Sequence, residues 1–417
     1  MFIGGNNRRL FNGAIRVLIL AFRFAGVICT YNILSASDYV DFSKFSAFIL
    51  FFVFIFGLDY YTYSHRLIAR KNSLYGLYFD QFLLFTLAAP LCWIVIFLAY
   101  DWQLAVIGTI LFFAEACLQE LYRLLVVLQR QVRASAVLAT RVAPFNIFLI
   151  YIASSSDNCS FRELLSVWAA SSAFSLVCVF IAVLMGAIPF PRAKYARGSA
   201  RRVLRRSRTY GVCLRYFLGS LSFRGLVLVE RALIPVFLDA DTAALYLLIM
   251  ALSQALVAIL EATITSFAEP EILSTIDVRQ TIIVFLNNLI KGVLLAALSW
   301  TAVYALMSVP RVSGLVNAHD VSLPLFAAGG GYVIAQVMFY FSSILHYRMK
   351  KDTELLLINT FCAVFIASCI CGVSFFTASA TSSLSVGAVL FCVFTALKLR
   401  RAVRISDSKE KFLSVSG

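Results

Sequence analysis

Arg23, Glu115, Glu120, Arg123, Arg215, Arg224, Glu230, Arg231 and Lys291 sit inside stretches that are otherwise apolar. A charged side chain at mid-bilayer costs about 2.5–3.5 kcal/mol on insertion scales, so such residues persist where they face other helices, a wet cavity or one another. Spacing sharpens this. Residues seven apart return to one face of a helix with 3.6 residues per turn. Arg16 and Arg23 therefore share a face, as do Arg224 and Arg231, and each pair forms a basic stripe. If the two stripes line one cavity, with Lys291 adding to them, the cavity is cationic and concentrates an anionic substrate. The other reading is that each arginine is neutralised by a carboxylate, and for Arg23 and Arg224 both readings stand. Glu120 and Arg123, one turn apart, are placed for an ion pair within one helix. Glu230 and Arg231 are neighbours and so point apart. Glu115, Glu120, Glu261 and Asp59 are the carboxylates that could carry ions or protons, because a buried carboxyl holds its proton more tightly. The alternative is that they too are paired. Arg16, Arg141, Asp59 and Glu261 lie nearer the ends of their stretches, where a side chain can reach the interface.

The elements that position these residues are transmembrane helices. The 417-residue chain is 61% hydrophobic and 14% charged, whereas soluble domains carry about a quarter charged residues. The apolar residues come in blocks of about 20, the length that crosses a hydrocarbon core. Spans are expected at 11–34, 45–63, 76–100, 103–128, 134–153, 164–187, 212–237, 243–266, 281–308, 323–345, 354–376 and 379–397. The fold class is therefore an all-α polytopic membrane protein, with about twelve helices in two six-helix bundles around a central cavity. The third and fourth spans are joined by a turn of Tyr100, Asp101 and Trp102. The fifth is the least regular, carrying Arg141 and Pro144. The N-terminal block is longer than a cleaved signal peptide and lacks a clean cleavage site.

The net charge of +15 lies in short segments between the apolar blocks, not on one nucleic-acid-binding face. The odd-to-even connections carry Asp38, Asp41, Asp101, Asp157, Asp239 and Asp241, and of basic residues only Lys44, Arg162 and Arg311. The remaining connections hold most of the Lys and Arg, including the run PRAKYARGSARRVLRRSR and a tail that begins at Lys398. The positive-inside rule then places both termini in the cytoplasm. The expected organisation is an N-terminal bundle over 1–188, a basic cytoplasmic linker over 189–211, a C-terminal bundle over 212–397 and a basic cytoplasmic tail over 398–417. The linker reads as topology-setting charge that also contacts anionic lipid. A parallel duplication is suggested by AFRFAGV and GLDYY in the first half against SFRGLVL and ILEAT in the second. In each pair an arginine in the first span precedes an acid near the end of the second.

Other chemistry finds no support. Phosphate-binding Walker A, GxSxG and HExxH patterns are absent. Asp239 and Asp241 resemble a glycosyltransferase acid pair, but their loop is too short for a catalytic domain. Cys29, Cys92, Cys117, Cys159, Cys178, Cys213, Cys362, Cys369, Cys371 and Cys392 lie mostly within apolar blocks, where a thiol behaves as a small hydrophobe. They and three histidines show no metal-ligand spacing. Neither a cofactor nor a metal is expected.

The segment YNILSASDYVDFSKFSAFILFFVFIFGLD resembles the start of Wzx-type polysaccharide flippases, of the superfamily of multidrug, oligosaccharidyl-lipid and polysaccharide exporters. There a first helix ends in a short acidic turn and a second closes with a Gly-Leu-Asp type sequence. ERALIPVFLDADTAALYLLIMALSQAL resembles the matching start of the second half. Length, span count and short loops agree along the whole chain. The resemblance implies a non-enzymatic flippase in the cytoplasmic membrane that moves an undecaprenyl-diphosphate-linked oligosaccharide, such as an O-antigen unit of lipopolysaccharide, to the periplasmic leaflet. It implies alternating access, with or without a coupled ion gradient, and partners among membrane lipids, the polysaccharide polymerase and chain-length regulators. The competing readings are a polytopic polymerase or ligase, which would carry a large outer loop, and a cation-coupled drug exporter, which would favour acidic cavity residues.

Overall fold

The computed structural model describes residues 5–57, 76–128, 130–155, 159–188, 207–260, 272, 278–307, 322–348 and 352–415. Twelve α-helices occupy these residues: α1 (Gly5–Ile33), α2 (Ala36–Gly57), α3 (Gly76–Ala99), α4 (Trp102–Val127), α5 (Gln131–Ser155), α6 (Phe161–Leu184), α7 (Ser207–Ala232), α8 (Ala240–Leu260), α9 (Val278–Met307), α10 (Leu323–Arg348), α11 (Asp352–Thr377) and α12 (Ala380–Val415). Among the described residues ten of them are long and apolar enough to cross a membrane. The other two carry Arg16 and Arg23 in α1, and Arg215, Arg224 and Arg231 in α7. The chain is a multi-pass membrane protein.

Every expected span has its helix, and the differences have local causes. The second helix begins nine residues before the expected 45, because the hydroxyl of Ser35 accepts from the Asp38 backbone N–H (3.2 Å) and Asp38 sits in the first turn. Both features satisfy the free amides and positive dipole end of a helix. The Tyr100–Trp102 turn forms as expected, and the Asp101 side chain caps α4 through the Leu104 N–H at 2.9 Å. Ser160 and Glu163 form a reciprocal capping box at the start of α6. The last helix continues through Val415, so Lys398 is not a solvated tail residue. It is fully buried, donating to Ser343 Oγ at 2.9 Å and lying 3.5 Å from the Phe339 ring centre.

The chain divides into two compact units, 1–224 and 225–417. In the first, α4 is the hub and packs on α2, α3, α5 and α6, while α1 lies along α5. Gly26 permits that approach: a Cβ there would overlap the Asn146 side chain. Helix α5 runs unbroken through Pro144. A proline leaves the carbonyl four residues earlier without its donor, and inside a membrane that vacancy must be filled by protein. Ser175 of α6 reaches it: its hydroxyl proton is shared between the Thr140 carbonyl at 2.6 Å and the Ser171 carbonyl of its own helix at 2.7 Å. In the second unit α10 is the hub, packing on α8, α9, α11 and α12. Gly330 leaves room for the Trp300 ring, whose N–H donates to the Phe326 carbonyl at 3.0 Å.

Candidate functional site: the polar centre of the first bundle

The turns α1–α2, α3–α4 and α5–α6 share one end of the first unit. The Cys159 N–H donates to the Ile33 carbonyl (3.1 Å), and Phe45 touches both Tyr100 and Phe161. Counting inward from that end at about 1.5 Å per residue, Arg23, Glu115, Arg141 and Ser172 all fall about 15–21 Å deep, at the middle of a core about 30 Å thick. They meet there. Arg141 Nε and Nη2 reach Glu115 Oε2 at 2.6 and 2.5 Å, and Ser172 Oγ donates to Oε1 at 2.9 Å. Glu115 is thus held on both oxygens by α5 and α6.

Arg23 projects from α1 into the field of this pair, with Glu115, Arg141 and Tyr122 as its electrostatic neighbours. It is only partly buried. Among the described residues its guanidinium has neither an ion pair nor a hydrogen bond. Two guanidinium groups therefore share one carboxylate, and that carboxylate is already bonded to Arg141. The centre carries one surplus positive charge. Among the four depth-matched groups, Arg23 is the cation without an acid of its own.

The other expected site residues distribute as follows. Glu120 is buried and pairs with Arg123 at 2.5 Å, as their spacing anticipates. Arg16 belongs to α1, but its side chain lies outside the described residues, as do Asp59 and Glu261. Most of the basic linker, residues 189–206, lies outside them too. Arg224 and Lys291 are exposed. Arg231 donates to Gln254 Oε1 at 2.5 Å, while Glu230 accepts from the Tyr332 hydroxyl, so the two neighbours do diverge. Arg141, expected to reach the interface, does not do so. Its helix starts at Gln131, three residues before the expected 134, and the side chain turns inward to Glu115.

Sequence reading also missed Ser172, Tyr332 and Tyr246. The second unit holds a polar cluster around the buried Glu230, Tyr332 and Tyr246, in which the Glu230 Oε2, Tyr246 OH and Gln254 Nε2 atoms have no hydrogen-bond partner among the described residues. Outside the membrane, Asp239 caps α8 by accepting from the Thr242 N–H at 3.0 Å, which lowers its carboxyl below the ordinary aspartate range. Together with Asp241 it stands at a helix start. Among the described residues no group of three metal-binding side chains occurs.

No protein-family model matches the chain, and no curated protein matches it by sequence. Its fold, however, is that of the MOP superfamily of transporters. A multidrug-resistance MATE family transporter in an inward-facing conformation superposes with a TM-score of 0.62 over 95% of this chain and 99% of its own, at 12% identity. The lipid II flippase MurJ does so with 0.59 over 95% and 87%, at 9% identity. A MOP superfamily transporter from Pyrococcus furiosus, described as having a binding pocket of reverse polarity, gives 0.57 over 95% and 94%, at 11% identity.

Proposed function

We propose that the protein is a flippase that carries an undecaprenyl-diphosphate-linked oligosaccharide from the cytoplasmic to the periplasmic leaflet by alternating access. The observation that carries this reading is Arg23, a mid-depth guanidinium that among the described residues has no ion pair or hydrogen bond of its own and shares the field of Glu115 with Arg141. Its natural complement is an anion that comes and goes, and a diphosphate on a lipid is such an anion. The fold is shared with a protein named as a lipid II flippase and with a transporter whose reversed pocket polarity is said to suggest a different function, so the charge of the site bears on the choice of cargo. A surplus positive charge argues against export of cationic drugs. Short connections between the described helices argue against a polymerase or ligase. The distribution of Lys and Arg supports a cytoplasmic-membrane protein with both termini in the cytoplasm. Polymerase and chain-length proteins of the same assembly line are the expected partners.

Deletion of the gene in its native host tests this. Lipid-linked sugars should accumulate in the cytoplasmic leaflet and be cleared by the wild-type gene. Accumulation in the periplasmic leaflet, or none, contradicts the proposal.

A further inference from the structure

Glu115 holds Arg141 by one edge of its guanidinium. Nε and Nη2 both meet Glu115 Oε2, at 2.6 and 2.5 Å. Ser172 occupies the other carboxylate oxygen at 2.9 Å, so the acid is fixed and sets the angle of the guanidinium plane. The third nitrogen, Nη1, makes no hydrogen bond among the described residues and is not one of their sealed polar atoms. The side chain keeps 15% of its surface open. Arg23 has the same character: it is partly buried, unbonded among the described residues and unsealed.

Helix register brings these two cations to one level. Helices α1 and α5 run in the same direction and end side by side, where the Cys159 N–H reaches the Ile33 carbonyl. They touch where Gly26 meets Asn146. Arg23 lies three residues before Gly26 and Arg141 five before Asn146, so their backbones differ in height by about 3 Å. Arg141 is an electrostatic neighbour of Arg23. Like charges this deep repel, and a single carboxylate offsets one of them. An anion with two charged groups relieves that repulsion better than an anion with one. Guanidinium edges match phosphate oxygens in shape as well as charge.

We propose that Arg141 is a second anion ligand: its free Nη1 edge and Arg23 hold the two phosphates of a prenyl-diphosphate carrier, with Glu115 and Ser172 fixing the angle of that edge. The pair lets the protein tell a diphosphate-linked glycan from a monophosphate-linked one. This rests on the flippase reading and adds the head group that is recognised.

Purified full-length protein is titrated with two probes, undecaprenyl-diphosphate N-acetylglucosamine and undecaprenyl-monophosphate N-acetylglucosamine. Wild type should bind the diphosphate probe about tenfold more tightly, the scale of one charge-assisted hydrogen bond. Arg141→Lys keeps the charge beside Glu115 but has no planar second edge, and should lose most of that preference. The double variant Glu115→Leu, Arg141→Met removes the ion pair as a unit and should lose it entirely; it serves as the test if Arg141→Lys is not monodisperse. Arg23→Gln should weaken both probes. Equal wild-type affinity for the two probes, or a wild-type preference in either Arg141 variant, overturns the role of Arg141 and leaves the flippase reading standing. Failure of wild type to bind either probe overturns both.

Discussion

Replacing Glu115 by leucine removes the acid that holds the first bundle's polar centre together. The side chains of Arg141 and Glu115 are only 15% and 4% exposed, so this is not a surface pair worth about 1 kcal/mol or less. Breaking a buried pair costs about 3–5 kcal/mol, because the orphaned charge remains desolvated. Here the damage is compounded. Ser172 loses its acceptor, and Arg23 and Arg141 face each other with no acid between them. A loss of about 4 kcal/mol in a unit of this size lowers the melting temperature by about 10 °C. The assay is loss of the monodisperse elution peak after heating the detergent-solubilised protein. The double variant Glu115→Leu, Arg141→Met should recover most of the loss, since apolar groups can replace a buried pair at little cost. A single variant that melts within about 2 °C of wild type refutes the claim that this ion pair organises the centre.

Three further outcomes are expected. Ser175→Ala should destabilise the first bundle by about 1–3 kcal/mol, because the Thr140 carbonyl loses the donor that stands in for the missing Pro144 N–H; an unchanged melt contradicts that role. Lys398→Met should melt at the wild-type temperature or a few degrees above, because a buried ammonium whose partners among the described residues are a hydroxyl and a ring gives up much hydration. A drop of more than about 5 °C would mean that Ser343 and Phe339 outweigh that cost. The Asp239 cap has a lowered carboxyl pKa when folded, so its stabilisation is complete above the ordinary aspartate value of about 3.9 and fades as pH falls below it. The gap in melting temperature between wild type and Asp239→Ala should follow that course, and a gap that persists at pH 2 would show that ionisation is not its source.

The helices were legible because a hydrocarbon solvent imposes length and apolarity on each one separately. The Asp101 turn was legible for the same local reason, as was the Glu120–Arg123 pair one turn apart. Partnerships between helices were not. Arg141 meets Glu115 across 26 positions and Tyr332 meets Glu230 across 102, and no spacing rule links residues on separate elements. Lys398 shows the converse failure. It begins a basic run and so looks like a solvated tail, yet α12 continues past it and turns its amine onto α10. Arg23 was legible as costly, but its lack of a private acid required knowing that Arg141 takes Glu115. The internal repeat remains a reading of the sequence: Asp59 and Glu261 lie outside the described residues, and Arg23 is partly buried where Arg224 is exposed.

The central claim is that Arg23 serves a visiting anion and not the fold, and transfer of undecaprenyl-diphosphate N-acetylglucosamine between the leaflets of proteoliposomes tests it most directly. Arg23→Met should melt no lower than wild type and transfer at least about tenfold more slowly, the scale of one lost charge-assisted contact, with Arg23→Lys in between. Wild-type transfer by Arg23→Met, or a rate loss fully matched by loss of folded protein, would contradict the account.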